Sequence, residues 1–302
     1  MTTANTSTSS IKQVTVAGGG VLGSQIAMQN AFFGFNVTIF DQEPEKVKER
    51  IAKLMPIYAK FYDKSPAQAQ VITHAIRYMT DLGEAVAEAD LVIEALPEVL
   101  DIKNEFYKAL ASVAPSHTIF ASNSSTLIPS QMVKATGRPD KFLALHFANR
   151  IWINNTAEVM GSAHTDPAVF DNIVAYAKAI GMVALPLNKE QPGYILNTLL
   201  VPFLNAGMHL YANDIADPHT VDKTWMIGTG APMGPSAMMD IVGVNTIVNI
   251  SQQKAKTGSK TAERFIQKLQ TELIDKGRTG FEVGKGFYDY PNPAYKDPDF
   301  LK

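Results

Sequence analysis

A glycine-rich turn between two apolar segments near the start of the chain constrains its fold more than any other feature. Gly18, Gly20 and Gly23 follow the β-branched run at residues 14–16 in G-x-G-x-x-G spacing. A helix-competent segment and a second apolar run come next, and that run ends at Asp41. This order predicts a strand, a tight turn, a helix and a second strand with an acid at its tip.

Each part of this segment suits the binding of a dinucleotide. Gly18 permits the sharp turn, Gly20 lets the backbone approach a pyrophosphate, and Gly23 lets helix and strand pack closely. The helix N-terminus offers free N–H groups to the phosphates. Asp41 is placed to accept a hydrogen bond from a ribose 2′-hydroxyl and would repel a 2′-phosphate, and no Arg adjoins it in sequence. The segment therefore predicts NAD as the cofactor.

Composition narrows the class of protein. The chain has 302 residues, enough for two domains of roughly 150 residues each. With 19% charged residues and a net charge of −2, it gives no sign of a nucleic-acid partner or a membrane surface, and no apolar run approaches a membrane span. The absence of cysteine excludes disulfides, a cysteine-based zinc site and a cysteine nucleophile, and we expect no metal. Residues 1–10 are rich in Ser and Thr, which predicts a disordered tail, and a cytoplasmic location is the default expectation.

The pattern of elements changes near residue 188. Before that point, apolar runs predicted to be strands, at 90–94, 118–121, 141–147, 156–160 and 183–187, alternate with helical segments. This alternation predicts an α/β fold in which residues 11–188 form a Rossmann-type domain with a mainly parallel sheet and helices on both faces. Residues 189–302 lack strand alternation and predict a smaller all-α domain, with helices at 197–213, 218–226, 236–255 and 261–276.

Among the six histidines, His146 is the candidate for chemistry. It ends an apolar strand after the nucleotide-binding half, where the carboxyl edge of an open α/β sheet binds ligands. Glu158 lies in another apolar run, where its charge needs a partner, and a carboxylate that orients an imidazole is a common arrangement for a general base. From the residues alone, a structural histidine is an equally good interpretation. Ser125 offers a hydroxyl to a ligand or caps a helix, and Asn197 either faces a ligand or bridges helices.

Several stretches together carry a family resemblance. They are AGGGVLGSQIA, VIEALPEVLDIKNEF, FASNSS and ALHFAN in the first part, and PGYILNTLLVPFLNAG, GAPMGPSAMMDIVG and GKGFYDY in the second. In this order, from residue 14 to residue 290, the chain resembles the L-3-hydroxyacyl-CoA dehydrogenases, including bacterial 3-hydroxybutyryl-CoA dehydrogenases.

The resemblance implies hydride transfer between NAD and the 3-hydroxyl carbon of a short-chain L-3-hydroxyacyl-CoA. It assigns the acid/base role to His146 assisted by Glu158, with Ser125 and Asn197 bonding the substrate oxygen. The residues that it implies for cofactor contact are Asp41, Glu98, Lys103, Ser125 and Asn149. It also implies a homodimer formed through the helical domain, for which the apolar segment at residues 231–250 is a candidate surface.

The chain departs from the family near the substrate. The family reads H-F-F-N-P where this sequence reads His146-Phe-Ala-Asn-Arg150, and Trp152 follows. Lys64 matches a family lysine for coenzyme A, but the family's serine near Ile57 is missing. An arginine can fork onto a carboxylate, or it can point to solvent, and Trp152 would narrow the space for a long chain. Two alternatives therefore stay open, a dehydrogenase of a free 3-hydroxy acid such as a sugar acid or carnitine-like compound, and a non-catalytic NAD-binding structural protein.

Overall fold

The computed structural model describes residues 9–302, apart from the side chains of residues 253 and 254. Two compact units divide the chain, Met1–Ile195 and Leu196–Lys302. The boundary predicted at residue 188 stays a prediction. Of the predicted tail, residues 1–8 lie outside the described residues, and the Ser9 Oγ donates a hydrogen bond to the Asn172 Oδ1 at 3.0 Å.

The first unit is an eight-stranded sheet with helices between the strands. Its strands are β1 (Gln13–Ala17), β2 (Asn36–Phe40), β3 (Arg77–Met79), β4 (Leu91–Glu94), β5 (Ile119–Ser122), β6 (Phe142–Phe147), β7 (Thr156–Gly161) and β8 (Val183–Leu187). Its helices are α1 (Val21–Phe32), α2 (Pro44–Phe61), α3 (Pro66–His74), α4 (Leu82–Val86), α5 (Leu100–Val113), α6 (Pro129–Met132) and α7 (Pro167–Ala179).

The strand order is β3-β2-β1-β4-β5-β6-β7-β8, and among these described strands only the β6–β7 pair is antiparallel. Side chains alternate between the two faces, as in β4, where Leu91 and Ile93 join one apolar cluster and Val92 joins another. The first cluster includes side chains of α1, α2 and α7, and the second includes side chains of α4, α5 and α6. The predicted α/β class, with a mainly parallel sheet and helices on both faces, is confirmed.

The second unit is helical. Its helices are α8, which begins in the first unit (Tyr194–Ala212), α9 (Pro218–Thr229), α10 (Pro235–Val242), α11 (Val244–Lys256) and α12 (Lys260–Glu272). The buried Asp222 accepts hydrogen bonds from the backbone N–H groups of Ser236 and Ala237 in the first turn of α10, both at 2.9 Å. Burial raises the pKa of Asp222, and these donors oppose that shift.

Three sequence expectations about individual elements are corrected. The predicted helix at 236–255 is two helices, because Gly243 adopts a φ of +92° and interrupts it between α10 and α11. The strand β3 and the helix α4 were not predicted, since each is short: β3 has three residues and α4 has five.

The third correction concerns the length of apolar segments. Within the described residues, α8 is long and apolar enough to cross a membrane by length and composition, and 22% of its most apolar window is buried. The expectation that no segment approaches such a length was wrong, because it required an unbroken apolar run, whereas polar residues such as Asn205 interrupt α8 without adding charge. One such helix is weak evidence of a span, since core helices pass the same test.

Candidate active site

The glycine turn between β1 and α1 leaves room for a ligand at one glycine and none at the other two. A Cβ on Gly18, whose φ is +100°, would lie 2.7 Å from the Ala95 carbonyl oxygen. A Cβ on Gly23 would lie 1.8 Å from the Gly18 carbonyl oxygen. Around Gly20, by contrast, a Cβ would meet nothing within 4 Å. The turn is therefore closed by packing at Gly18 and Gly23 and open at Gly20, where the residues fit a pyrophosphate beside the start of α1.

Asp41 and Arg50 both bind the backbone of Gly19 within this turn. The Asp41 Oδ2 accepts a hydrogen bond from the Gly19 N–H at 2.7 Å. The Arg50 Nη1 donates to the Gly19 carbonyl oxygen at 3.1 Å. Asp41 thus lies at the glycine turn, as the sequence predicts. No Arg adjoins Asp41 in sequence, but Arg50 of α2 reaches the same turn. Arg50 stands three residues after Val47, whose side chain packs against Gly19, so one face of α2 brings both residues to the turn. The sequence pattern of the turn contains no signal for Arg50.

A buried carboxylate organises the ends of β4 and β5. Glu94 is fully buried, and its oxygens accept hydrogen bonds from the Lys103 Nζ at 2.5 Å, the Ser122 Oγ at 2.8 Å and the Leu96 N–H at 2.7 Å. The Tyr107 hydroxyl is a fourth donor at 3.3 Å. Lys103 is 1% exposed, so its ammonium serves this network rather than open surface. The role of Lys103 in cofactor binding stays a prediction. Its ammonium also lies 3.4 Å from the Glu98 carboxylate, through which it can act on a cofactor indirectly.

Glu98 links this network to the turn after β5. Its Oε1 accepts hydrogen bonds from the Ser124 Oγ at 2.6 Å and from the Thr126 N–H and Oγ1, both at 2.8 Å. The Lys103 Nζ lies 3.4 Å from its other oxygen. Burial would raise the pKa of Glu98, but these hydrogen bonds and the charge of Lys103 outweigh burial and lower it. Glu98 is therefore a fixed carboxylate with one edge exposed, at the carboxyl end of the sheet.

His146 and Glu158 meet because the sheet places them opposite each other. They are register partners in the antiparallel β6–β7 pair, and the His146 Nδ1 lies 2.9 Å from the Glu158 Oε2. Both side chains are nearly fully buried. The His146 Nε2 lies 3.1 Å from the Ser125 Oγ. These three predicted residues form one row, in which the Glu158 carboxylate contacts one ring nitrogen of His146 and the Ser125 hydroxyl contacts the other.

Two residues that sequence reasoning missed complete the surroundings of this row. The Ile195 N–H donates to the Glu158 Oε1 at 2.9 Å. The fully buried Tyr194 stacks on the His146 ring, with centroids 4.4 Å apart and planes 15° apart. Burial, followed by the negative charges of Glu98 and Glu158, raises the pKa of Tyr194 well above its usual range. No local pattern marked these residues, because they lie about 50 positions after His146 in the chain.

The loop after β6 is fixed to α1 by one glutamine. The Gln25 Nε2 donates to the Asn149 Oδ1 at 3.0 Å, and the Gln25 Oε1 accepts from the Arg150 N–H at 2.8 Å. Arg150 has a φ of +61°, an uncommon conformation that these bonds support. The predicted cofactor contact Asn149 is thus held beside the helix that follows the glycine turn.

Trp152 is mostly a packing residue. It is 8% exposed and its ring lies 5.2 Å from that of Tyr58, centroid to centroid. Its remaining surface joins Pro56, Ile57, Lys60 and Phe61 around an open groove of about 530 Å³. Lys64 lies exposed just beyond the end of α2. The predicted substrate contacts of Lys64, Arg150 and Trp152 stay predictions.

Asn197 is the last of the predicted site residues, and no metal was expected. Asn197 belongs to α8 within the second unit, and its catalytic role stays a prediction. Among the described residues, no group of three or more His, Asp or Glu side chains could hold a metal ion. What the first unit assembles is an oriented histidine, a hydroxyl and a glycine turn fit for a dinucleotide, which is an arrangement suited to proton transfer coupled to a redox cofactor.

Known proteins share these features along nearly the whole chain. A family model described as "3-hydroxyacyl-CoA dehydrogenase, NAD binding domain" matches residues 13–191, and one described as "3-hydroxyacyl-CoA dehydrogenase, C-terminal domain" matches residues 193–290. The mitochondrial hydroxyacyl-coenzyme A dehydrogenase of Homo sapiens is 33% identical over 93% of this chain and 91% of its own. A probable 3-hydroxybutyryl-CoA dehydrogenase of Bacillus subtilis is 31% identical over 93% of this chain and 98% of its own.

A solved structure shares more of the sequence. It is described as "Substrate-directed dual catalysis of dicarbonyl compounds by diketoreductase", and it is 52% identical to this chain with a TM-score of 0.87. The match covers 93% of this chain and 99% of the other.

Proposed function

The chain belongs to the 3-hydroxyacyl-CoA dehydrogenase family and is an NAD-dependent oxidoreductase, and we propose that it interconverts short-chain L-3-hydroxyacyl-CoA thioesters and their 3-keto forms with His146 as the acid/base. The observation that carries the proposal is the row of Glu158, His146 and Ser125, with contacts of 2.9 Å and 3.1 Å. It supports an acid/base role because one ring nitrogen is held by a carboxylate and the other faces a hydroxyl.

Each residue of the row has a distinct role in the proposed oxidation. Glu158 accepts the Nδ1–H of neutral His146, so the Nε2 lone pair is free to take the proton of the substrate hydroxyl. Ser125 donates to or accepts from the same oxygen and holds it near Nε2. Glu158 then stabilises the imidazolium that forms. NAD, when bound, supplies the acceptor for the hydride that leaves the substrate carbon.

The proposal assigns the cofactor to the glycine turn and its neighbours. The open space at Gly20 would receive the pyrophosphate, and Asp41 would bond the adenosine ribose. Glu98, Ser125 and Asn149 would contact the rest of the cofactor, and Lys103 would act by fixing Glu98. These residues lie at the carboxyl ends of the strands or just beyond, where sheets of this kind bind nucleotides.

A second candidate function is the same hydride transfer on a substrate that is not a coenzyme A thioester. The 52% identity to the diketoreductase structure supports small dicarbonyl compounds, or the matching free 3-hydroxy acids, as substrates. Arg150 supports this alternative, since a guanidinium can pair with a carboxylate that a thioester lacks. The apolar groove at Trp152 and Phe61 would take an apolar end of such a compound. The thioester remains the first proposal because both family models carry that substrate in their description.

A substrate panel tests the proposal. Oxidation of 3-hydroxybutyryl-CoA and of free 3-hydroxybutyrate with NAD, and reduction of a 1,3-dicarbonyl compound with NADH, are followed at 340 nm. The His146→Gln variant should lose about 10²–10⁴ in kcat with every substrate that is turned over, the usual effect of losing a general base. The acid/base assignment fails if this variant keeps near-normal turnover, and the thioester proposal fails if only the other compounds react.

We also propose that the chain forms a homodimer through its helical unit. Several large apolar side chains there are exposed, among them Leu199 (69%), Ile227 (60%) and Ile250 (50%). Exposed apolar surface of this kind is typical of an interface between subunits. Light scattering after size exclusion should give twice the chain mass of 32.9 kDa. Leu199→Asp should shift the protein toward the monomer, and a monomeric wild type would contradict the proposal.

A further inference from the structure

The feature that the proposed function does not use is the aromatic ring lying on the histidine. Tyr194 is fully buried and covers one face of the His146 imidazole, with ring centroids 4.4 Å apart and planes 15° apart. The ring edges of His146 are already occupied, since Nδ1 contacts Glu158 and Nε2 contacts Ser125. The contacts at the two ring nitrogens still allow the imidazole to tilt out of its plane. The stacked Tyr194 ring opposes that tilt.

The backbone holds Tyr194 in this place at some conformational cost. Gly193 has a φ of +80° and Tyr194 a φ of +54°, a left-handed region that is unfavourable for a non-glycine residue. Two bonds on either side of the imidazole support this turn. The Tyr194 hydroxyl donates to the Ser124 carbonyl oxygen at 2.7 Å, and the Ile195 N–H donates to Glu158 at 2.9 Å.

These contacts connect the stacking ring to both partners of the histidine. Ser124 precedes Ser125, so the hydroxyl bond fixes the turn that presents the Ser125 Oγ to Nε2. The face of an aromatic ring is electron-rich and attracts a cation above it, most strongly where water is excluded. His146 is 4% exposed, so the imidazolium that forms when it takes a proton would be stabilised by this face.

We propose that Tyr194 is a positioning residue that keeps the His146 ring in line between Glu158 and Ser125 and stabilises its protonated form. The proposal rests on the acid/base role proposed above for His146. It assigns two separable parts to one side chain. The ring acts on His146, and the hydroxyl acts on the Ser124–Ser125 turn.

Three variants separate these parts. Tyr194→Phe keeps the ring and loses the hydroxyl, and Tyr194→Leu loses both. Pentafluorophenylalanine at position 194 keeps the shape of phenylalanine and reverses the sign of the charge on the ring face. We expect kcat to fall about tenfold or more in the leucine variant, the factor that 1.4 kcal/mol produces. The phenylalanine variant should stay within about threefold of wild type, and fluorination should lower its kcat by a further factor of about five or more, which lies within the range that cation–π contacts produce.

The readouts distinguish positioning from simple support of the fold. The KM and Kd for NAD should change less than kcat in all three variants, since the ring lies on His146 and Tyr194 reaches the proposed cofactor contacts through the hydroxyl bond to Ser124. In histidine-labelled apoprotein, the Nδ1–H proton resonance of His146 should be sharp in wild type and in Tyr194→Phe and broadened in Tyr194→Leu. Tyr176 provides the matched control, because it is also fully buried and bonds Asn30 through its hydroxyl. Tyr176→Leu should lower Tm while kcat per folded molecule stays at the wild-type value.

The outcomes are decisive in each case. Wild-type kcat in Tyr194→Leu, or equal kcat for phenylalanine and its fluorinated form, overturns the proposal. If the leucine variant does not fold, the comparison of phenylalanine with its fluorinated form decides alone, since the two have nearly the same shape. Failure of the proposed function looks different, because His146→Gln would then retain turnover. A kcat loss in Tyr194→Leu alongside an inactive His146→Gln supports both.

Discussion

Replacing Glu158 by glutamine is the sharpest test of the proposed acid/base row. Two of the partners of this carboxylate require an acceptor, the His146 Nδ1–H at 2.9 Å and the Ile195 N–H at 2.9 Å. Glutamine offers one oxygen and one NH₂ group, so it can satisfy only one of these donors as it stands. If the oxygen stays on Ile195, the NH₂ group donates to Nδ1 and forces the proton of the neutral ring onto Nε2. That tautomer cannot take a proton from the substrate.

The magnitude follows from the alternative orientation of the amide. With its oxygen on Nδ1–H, the amide turns its NH₂ group toward the Ile195 N–H, and a buried donor left without an acceptor costs about 1–3 kcal/mol. The productive tautomer is therefore the minor one by that amount. The imidazolium also loses its bond to a charged partner, which is worth about 1.5–3 kcal/mol. Together these effects predict a loss of about 10²–10⁴ in kcat. The serine-protease triad, in which the corresponding amide variant loses about 10⁴, follows the same logic.

The assay is the initial rate of NADH formation at 340 nm with the best substrate of the panel, alongside Kd for NAD and Tm. Glu190→Gln is the matched control, because Glu190 also accepts a hydrogen bond from a backbone N–H, that of Ser130 at 2.6 Å, but in an exposed contact. It should keep wild-type kcat. A Glu158→Gln variant within about threefold of wild-type kcat would refute the reasoning, since neither the tautomer nor the charge of Glu158 would then matter.

The other predictions concern the cofactor, the substrate and acid stability. Wild type should prefer NAD strongly over NADP in kcat/KM, and Asp41→Ala should lose more with NAD than with NADP, because Arg50 beside the same turn then faces a 2′-phosphate without an opposing carboxylate; equal efficiency of wild type with both cofactors would contradict this. Arg150→Ala should raise KM for a free acid at least tenfold, about 1.4 kcal/mol, and barely affect a thioester, whereas an unchanged KM for the acid would show that Arg150 does not bind it. The folded protein lowers the pKa of Glu98, so the contribution of this carboxylate to folding stability should be complete above about pH 5 and lost as the pH falls through the folded pKa. The Tm difference between wild type and Glu98→Gln should therefore shrink below about pH 4. A Tm difference that grows on acidification would contradict this.

The glycine turn was predictable because its constraints are local. A Cβ on Gly23 would strike the Gly18 carbonyl oxygen five residues earlier, and Gly18 needs its positive φ within the turn itself, so the motif carries much of its own geometry. Gly19 shows where this ends. A Cβ there would lie 2.3 Å from the Val47 side chain, so its requirement comes from a helix almost 30 residues later. Spacing within the turn contains no record of that helix.

The row of Glu158, His146 and Ser125 illustrates a different limit. The burial of charge predicted that Glu158 needs a partner, but twelve residues of separation do not decide whether two residues of neighbouring strands face each other. The antiparallel register of β6 and β7 decides it, and a shift of one residue would turn one side chain to the opposite face. Tyr194 lies further still, and its contact depends on two consecutive residues with positive φ that no helical or strand pattern reveals.

Glu94 had no predicted role, but it helps to position several residues that had one. As a carboxylate in an apolar strand it would be costly, and it is retained with four donors around it: Lys103, Tyr107, Ser122 and the Leu96 N–H. Removing it would leave the Lys103 ammonium buried with Glu98 as its nearest remaining carboxylate, 3.4 Å away. The pull on Glu98 would then compete with its bonds to Ser124 and Thr126, which hold the turn that presents Ser125 to His146. The polar interior of the sheet edge is thus one connected structure, in which the same buried charge supports Glu98, proposed to contact the cofactor, and the turn that carries Ser125, proposed to serve proton transfer.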